Sequence, residues 1–286
     1  FDTVVLNVAT RTEAGTVTID KAYPSIGASG TVTTTKKPTT GSHGSSNIQK
    51  LVDDMRAADV DKADYSSYKL NWGSHTSGGC SATGGKLFTS VDETVFNRDV
   101  YAKLTPVFTN NLLVPDVCVQ ESDYNSGFKK AAFRDILDTW ANTQVFKLMH
   151  QYLVDAGKAD ADVSNFKDKL YTFWFGTYSR CTKDKSIIGS SGFEHVYSGE
   201  WKNGEVDGQH NWMRYYNLEK VNNISYCGYY SYDQQLTGTF EYKWEKELKK
   251  EGGFLIGTSP VFDFSLFTAC AMTESGAKKC RYTIDG

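Results

Sequence analysis

Two histidines stand in a local cluster of glycine, acidic and aromatic residues that is suited to proton transfer. His195 and His210 lie 15 positions apart, and the glycine and aspartate residues between them favour a turn. A hairpin at this point would bring the two imidazoles face to face. Both imidazoles titrate near neutral pH, so one can accept a proton while the other donates one. The pair therefore predicts general acid–base catalysis; the alternative is two unrelated surface histidines.

Three aspartates form a candidate site for a metal ion. Asp59, Asp61 and Asp64 offer the oxygen ligands that a hard cation prefers, but they lack the spacing and the glycine of an EF-hand loop. A solvated helix face is the alternative interpretation. The chain carries no GxSxG, Walker, GxGxxG or HExxH pattern, so the sequence gives no sign of those hydrolase, nucleotide-binding or zinc-protease sites.

Composition narrows the class of protein. The 286 residues carry a formal net charge of −3 and are 40% hydrophobic, which indicates a globular protein and not a uniformly basic nucleic-acid coat. No apolar run is long enough to span a membrane. Six cysteines without a CxxC pair, together with a glycosylation sequon at Asn223, predict a secreted glycoprotein with up to three disulfides, whose pairing stays open.

The elements expected to position the histidines change in type along the chain. Residues 1–26 predict short strands, residues 27–47 a flexible Thr/Ser/Gly linker, and residues 48–286 the main domain.

Within the main domain, apolar residues at helical spacing predict a helical lobe over about residues 48–180, with a strong pattern through 128–157. β-Branched and aromatic residues predict a β-rich lobe over about residues 186–286. Helices first and strands later predict an α+β fold with antiparallel sheets.

The two histidine segments resemble the motifs of a known enzyme family. Residues 190–197 and 208–212 are similar to the two histidine motifs of the EndoU family of poly(U)-selective endoribonucleases, and residues 254–264 are similar to its late signature. The coronaviral uridylate-specific endoribonuclease is a distant relative of that family. The resemblance covers about residues 48–286 and implies an EndoU-like fold.

Matched motif to motif, the resemblance implies a role for each catalytic residue. His210 would be the general base on the ribose 2′-OH, and His195 the general acid for the 5′-oxygen leaving group. Lys249 would stabilise the charged phosphorane, with the adjacent Lys250 as the alternative.

Four further residues take supporting roles in this interpretation. Glu194 and Glu200 match acidic positions beside the first histidine, where they would orient the imidazoles or help to hold a metal. Thr258 and Ser259, within the late signature, are candidate substrate-binding residues. Family members are stimulated by Mn²⁺ or Ca²⁺, so the resemblance implies a divalent cation in a supporting role.

The function that the resemblance implies is a secreted, metal-stimulated endoribonuclease. It would cleave single-stranded RNA 3′ of uridylates and leave a 2′,3′-cyclic phosphate. The first alternative is an EndoU-like RNA-binding module with weak or no cleavage. The second is a secreted structural or interaction domain, which predicts that His195 and His210 lie far apart.

The N-terminal segment resembles a different part of the family. Residues 1–10 are similar to the family's C-terminal strand, which would follow residue 286. We therefore expect residues 1–24 to complete the sheet of the domain. Either the domain is circularly permuted, or the segment is the tail of a tandem copy that exchanges strands with another copy. In both cases Asn7 or Thr10 would read the uracil.

Overall fold

The computed structural model describes five stretches of the chain, which are residues 6–7, 15–18, 44–80, 85–273 and 279–284. At residues 6–7, 15–18, 44–47 and 279 it describes the backbone alone. Thr10 and most of the predicted linker lie outside these residues, so what the sequence predicts for them stays a prediction.

Helices and strands are segregated along the described chain. The helices are Gly44–Ala58 (α1), Asp99–Ala102 (α2), Thr105–Thr109 (α3), Gly127–Ala141 (α4), Gln144–Asp155 (α5), Val163–Phe175 (α6), Trp212–Lys220 (α7) and Pro260–Thr273 (α8). The strands are Leu6–Asn7 (β1), Gly15–Thr18 (β2), Tyr68–Leu70 (β3), Phe88–Val91 (β4), Thr177–Tyr178 (β5), Ser190–Ser191 (β6), Glu200–Lys202 (β7), Glu205–Asp207 (β8), Ile224–Asp233 (β9), Thr237–Trp244 (β10), Glu247–Gly252 (β11) and Lys279–Tyr282 (β12). All helices but α7 and α8 precede the largest sheet, which confirms the α+β class.

The helical part is a packed layer, and its break points follow from local capping. The sequence shows one strong helical pattern through residues 128–157, but the structure ends α4 at Ala141 and begins α5 at Gln144. Between them, the side chain of Thr143 accepts a hydrogen bond of 3.2 Å from the Phe146 N–H, which caps the new helix. The turn lets both helices bury their apolar faces in the same core.

The largest sheet has five strands in the order β7-β8-β11-β10-β9. Its pairs are antiparallel except for β8 and β11, which run parallel through the contact of Glu205 with Leu248. The predicted antiparallel sheets are therefore present, with one parallel pair at the centre. A single hydrophobic core joins the inner face of this sheet to the helices.

The N-terminal strands pair with the end of the same chain. β2 runs antiparallel to β12, with Val17 opposite Cys280, and β1 pairs with the other edge of β2. The side chain of Gln49 on α1 then holds the backbone of Thr283, accepting from its N–H at 2.7 Å and donating to its carbonyl at 2.9 Å. The N-terminal segment thus reaches the end of the described chain through residues 15–18, and the expected placement of residues 1–10 beside residues 280–286 stays a prediction. Whether the segment arose by permutation or from a tandem copy stays a prediction.

Three disulfides tie distant segments together: Cys80–Cys227, Cys118–Cys181 and Cys270–Cys280. They settle the pairing that the sequence left open and confirm the prediction of disulfides. Within the described parts of the chain, no helix combines the length and apolar character needed to cross a membrane.

Candidate active site

The two histidines are brought together by the backbone of the turns that carry them. His195 lies on a π-helical turn at residues 194–198, and His210 follows the end of β8. The Gln209 N–H donates to the His195 carbonyl, and the His210 N–H donates to the Val196 carbonyl, each at 2.7 Å. Gly208 makes this contact possible, because a Cβ at that position would lie 2.0 Å from the His195 carbonyl oxygen.

The imidazoles are near neighbours as a result. Their ring centres are 5.9 Å apart, and the His195 and His210 side chains are both buried. The alternative of two unrelated surface histidines is therefore wrong. So is the prediction of the structural-domain alternative that the two residues lie far apart.

His210 is held as a neutral base. Its Nδ1 lies 2.7 Å from the Gly253 carbonyl oxygen, which can only accept, so Nδ1 carries the proton and Nε2 carries the lone pair. Nε2 is buried and finds no hydrogen-bond partner among the described residues. Burial, followed by the charge of Lys249, lowers the pKa of His210 to about 3. The ring is therefore unprotonated at neutral pH and able to accept a proton at Nε2.

His195 lies instead in an ionic network. Its Nδ1 is 2.9 Å from Oε2 of Glu200 and 2.9 Å from Nη1 of Arg180. Arg180 also donates to Glu200 and, at 2.7 Å, to Oδ2 of Asp207, while the Ser190 hydroxyl donates to Oε1 of Glu200. Burial raises the pKa of Glu200, whereas Arg180 and Ser190 lower it.

The network bears on which nitrogen of His195 holds a proton. A guanidinium only donates, so the Arg180 contact requires a neutral ring with its proton on Nε2. Glu200 suits a ring protonated at Nδ1, and it favours the imidazolium. The Arg180-bonded tautomer and the imidazolium both carry a proton on Nε2, which is the proton that a general acid delivers. Burial, and then the charge of Arg180, holds the pKa of His195 well below its usual value.

Of the two candidate lysines, the structure places Lys249 at the site. Side chains alternate along β11, so Lys249 is buried while Lys250 is exposed and pairs with Glu205. The charge of Lys249 lowers the pKa of both imidazoles. Burial in turn lowers the pKa of the Lys249 ammonium, and Asp207 opposes that shift.

The two candidate glutamates differ in their contacts with the histidines. Glu200 contacts His195 directly, whereas neither carboxylate oxygen of Glu194 has a hydrogen-bond partner in the part of the chain that the structure describes. Burial, followed by the charge of Glu121, raises the pKa of Glu194 well above its usual range, which favours the neutral acid. Glu121 itself pairs with Lys129 at 2.5 Å. Glu194 is therefore close to the site in sequence but does not orient either imidazole.

Thr258 and Ser259 lie at the start of α8 and are fully buried. The Thr258 hydroxyl donates to Oδ1 of Asp263 at 2.8 Å, and the Ser259 hydroxyl accepts from the Phe262 N–H at 3.1 Å. Both side chains thus stabilise the first turn of α8, and a substrate would have to open these contacts to reach them. Their substrate-binding role stays a prediction, as does that of Asn7, of which only the backbone is described.

The three aspartates do not fit a divalent cation in this structure. Asp59 is buried and accepts a hydrogen bond of 3.1 Å from the Ser259 N–H, whereas Asp64 is exposed. Oδ1 of Asp59 is buried without a partner, but no group of three or more potential ligands occurs among the described residues. We assign no ion to Asp59, Asp61 and Asp64. Asn223 is exposed just before β9, where a glycan would have room.

Sequence reasoning missed Arg180, Ser190, Asp207 and the Gly253 carbonyl. Arg180 lies 15 positions before His195, at no spacing that links the two, and only folding of β5 to β8 brings them together. A backbone carbonyl such as that of Gly253 leaves no signal in side-chain types. The one available hint was the charge of Arg180 next to a strand in a largely apolar stretch.

Comparison with known proteins agrees with this geometry. The family model described as Endoribonuclease XendoU matches residues 47–286. Uridylate-specific endoribonuclease D of Xenopus laevis is 32% identical over 252 residues, covering 84% of this chain and 79% of that protein. Uridylate-specific endoribonuclease C of the same organism is 34% identical over 245 residues, covering 79% of this chain and 76% of that protein.

A solved structure is similar as well. It is described as the structure of XendoU, a splicing-independent snoRNA processing endoribonuclease. The two structures superpose with a TM-score of 0.66 at 29% identity, over 79% of this chain and 83% of that chain. The family match over most of the chain, the relatives and the shared fold lead to one conclusion: this chain belongs to the XendoU endoribonuclease family.

Proposed function

We propose that this protein is a uridylate-preferring endoribonuclease that cleaves single-stranded RNA and leaves a 2′,3′-cyclic phosphate. The observation that carries the proposal is the buried pair of imidazoles, one with a free Nε2 lone pair and one in a network that favours a proton on Nε2. The relatives named as uridylate-specific endoribonucleases support the choice of substrate.

Each step of the reaction uses an atom described above. Nε2 of His210 takes the proton of the ribose 2′-OH, and the 2′-oxygen attacks the phosphorus. The bond from phosphorus to the 5′-oxygen breaks, and Nε2–H of His195 protonates that oxygen as it leaves. Lys249 lies beside both rings, where its charge stabilises the negative charge that builds up on the non-bridging oxygens.

Glu200 and Arg180 act through His195. The Glu200 carboxylate stabilises the protonated ring, and Arg180 holds that carboxylate in place and favours its ionised form against the effect of burial. A bound phosphodiester is itself an anion, so it favours the imidazolium of His195 in the complex.

Stimulation by Ca²⁺ or Mn²⁺ and a secreted location complete the proposal. The cation is suggested by the family resemblance alone. Three disulfides and an exposed sequon at Asn223 support an oxidising compartment. Cleavage measured with Ca²⁺, with Mn²⁺ and with EDTA tests the first point. The secreted location is tested with protein produced in a eukaryotic secretory host. There we expect a mass increase that a glycosidase removes and that is absent in Asn223→Gln.

One observation favours the alternative of an RNA-binding module. His195 is 0% exposed and His210 is 2% exposed, so a phosphodiester reaches both rings only if the site opens. The deciding experiment uses a fluorescent oligonucleotide with one uridine, and a copy with 2′-deoxyuridine at that position. Cleavage of the first but not the second supports the proposal. Binding of both without cleavage would favour the module.

A further inference from the structure

Arg214 is a charged residue in a place that does not favour a cation. It lies in the first turn of α7, four positions after His210, and its N–H donates to Oδ1 of Asn211 at 3.0 Å in the helix cap. The start of a helix carries a partial positive charge, so a guanidinium there is opposed by the helix dipole.

The guanidinium is enclosed by aromatic rings. Its central carbon is 4.8 Å from the ring centre of Phe108 on α3 and 5.5 Å from that of Trp244 on β10. We call this arrangement of Phe108, Arg214 and Trp244 the Arg214 slot. Burial lowers the pKa of Arg214 to about 10, so the group remains a cation at neutral pH.

No acid compensates this charge within the described residues. Arg214 has no ion pair there, and its Nε is buried without a hydrogen-bond partner. Two other arginines with close neighbours differ. Arg180 pairs with two carboxylates, and Arg134, which stacks on Tyr171 at 3.9 Å, pairs with Asp168 at 2.6 Å.

Two further donors near the slot also lack acceptors in the described structure. Nε1 of Trp201 is buried and unpartnered, and its ring meets Trp244 edge-on at 5.0 Å. Nδ2 of Asn211 is likewise buried and unpartnered. The unpaired guanidinium at a helix start suits a ligand that is an anion with several acceptor oxygens.

The slot shares a wall with the imidazole pair. The ring of Trp244 and the side chain of Gln209 both lie against Gly199, because a Cβ built on Gly199 would be 3.2 Å from Trp244 and 2.7 Å from the Cβ of Gln209. Gly199 directly follows the turn that carries His195, and Gln209 directly precedes His210. Trp244, which flanks the Arg214 guanidinium, therefore also packs beside the segments that carry the two imidazoles.

We infer that Arg214 binds a phosphate of the RNA substrate other than the one that is cleaved. This inference rests on the proposed function. A guanidinium donates two parallel hydrogen bonds to a phosphate, and the flanking rings hold its plane in position. The uncompensated charge then serves binding, and its cost to the free protein is offset when the phosphate arrives.

The test compares substrates with and without flanking phosphates. Uridylyl-adenosine contains the scissile phosphate alone, and a longer oligonucleotide adds neighbours on both sides. For Arg214→Gln we expect kcat/KM on the oligonucleotide to fall about tenfold through KM, as loss of a charge-assisted contact implies, with the dinucleotide nearly unaffected. Arg134→Gln removes an aromatic-stacked arginine that already has an acid, and we expect it to change neither substrate.

Binding gives a readout that does not depend on cleavage. An oligonucleotide with 2′-deoxyuridine cannot be cut, and its Kd is measured by anisotropy against salt concentration. We expect the salt slope of Arg214→Gln to be smaller by about 0.7, the value for one phosphate contact on a single strand. Arg214→Lys should restore the slope. An unchanged slope would overturn the inference even if the wild-type protein proved not to be a nuclease.

The Tm of an Arg214 variant distinguishes a ligand-binding role of this residue from a structural one. Since Arg214 is an unpaired cation at a helix start, Arg214→Gln should leave the Tm unchanged or raise it. A purely structural cation–π role predicts a lower Tm and equal losses on both substrates. That result would also overturn the inference.

Discussion

The surroundings of the two histidines differ in kind, and the difference supports the separate roles proposed for them. His210 meets a neutral backbone carbonyl at Nδ1, which fixes its tautomer and leaves Nε2 as an acceptor. His195 meets a carboxylate and a guanidinium at the same atom, and the guanidinium contact places the proton of a neutral ring on Nε2. In the proposed mechanism, two chemically identical side chains act as base and acid because the fold gives them different partners.

Removal of either imidazole should have the largest effect on activity. His210→Ala and His195→Ala each delete one proton transfer, so we expect kcat on a uridine-containing oligonucleotide to fall by about 10³-fold. Single-turnover cleavage measures the loss, and anisotropy checks that RNA binding persists. A variant that kept more than a tenth of the activity would remove that histidine from the mechanism.

The next largest effect is expected at Lys249. Lys249→Met removes the buried charge beside both rings, and we expect a loss of about 10²-fold in kcat, as for other groups that stabilise transition-state charge. Lys250→Met is the matched control, since Lys250 is exposed and pairs with Glu205 on the surface. Equal losses for both variants, measured on the same oligonucleotide, would contradict the assignment from strand alternation.

A smaller effect should distinguish the two glutamates. Glu200→Gln removes the charge that stabilises the His195 imidazolium, so the pKa of the acid falls and the alkaline limb of the pH–rate profile moves to lower pH. Glu194→Gln replaces a carboxyl that burial keeps neutral, so it should leave that limb in place. The profiles are measured as kcat against pH. A shift in Glu194→Gln alone would reverse the assignment.

The smallest expected effect concerns stability against pH. The pKa of His210 is about 3 in the folded protein and near 6.5 when unfolded, so between these values the unfolded state binds more protons. The contribution of His210 to the free energy of unfolding is therefore complete above pH 6.5. It is lost as the pH falls towards 3, by at most about 1.4 kcal/mol per pH unit. Chemical denaturation of wild type and His210→Gln at several pH values measures it. An equal pH dependence in both would contradict a neutral buried ring.

The sequence alone was sufficient for some parts of this account and not for others. The histidine pair and the α+β order follow from motif and periodicity, because those signals lie in contiguous stretches. The choice between Lys249 and Lys250 needed the register of β11, since adjacent residues differ only in the face they occupy. The break between α4 and α5 depends on a cap at Thr143 that competes with a continuous apolar pattern.

The groups that position the two histidines could not be predicted from the sequence, for a physical reason. Arg180 reaches His195 only through tertiary folding, and the Gly253 carbonyl belongs to the backbone, which has the same chemistry at every position. The resemblance predicted that residues 1–24 join the sheet of the domain, but it did not predict that residues 15–18 are the ones that pair with β12.

The most direct test of His210 as base and His195 as acid uses a substrate whose leaving group needs no proton from an acid. Uridine 3′-(4-nitrophenyl phosphate) has a leaving group that is stable as an anion, whereas its 2′-OH still needs a base. We predict that His195→Ala cleaves this substrate at close to the wild-type rate and that His210→Ala remains inactive on it. Rescue of His210→Ala instead, or of both variants equally, would contradict the assignment of His210 as base and His195 as acid.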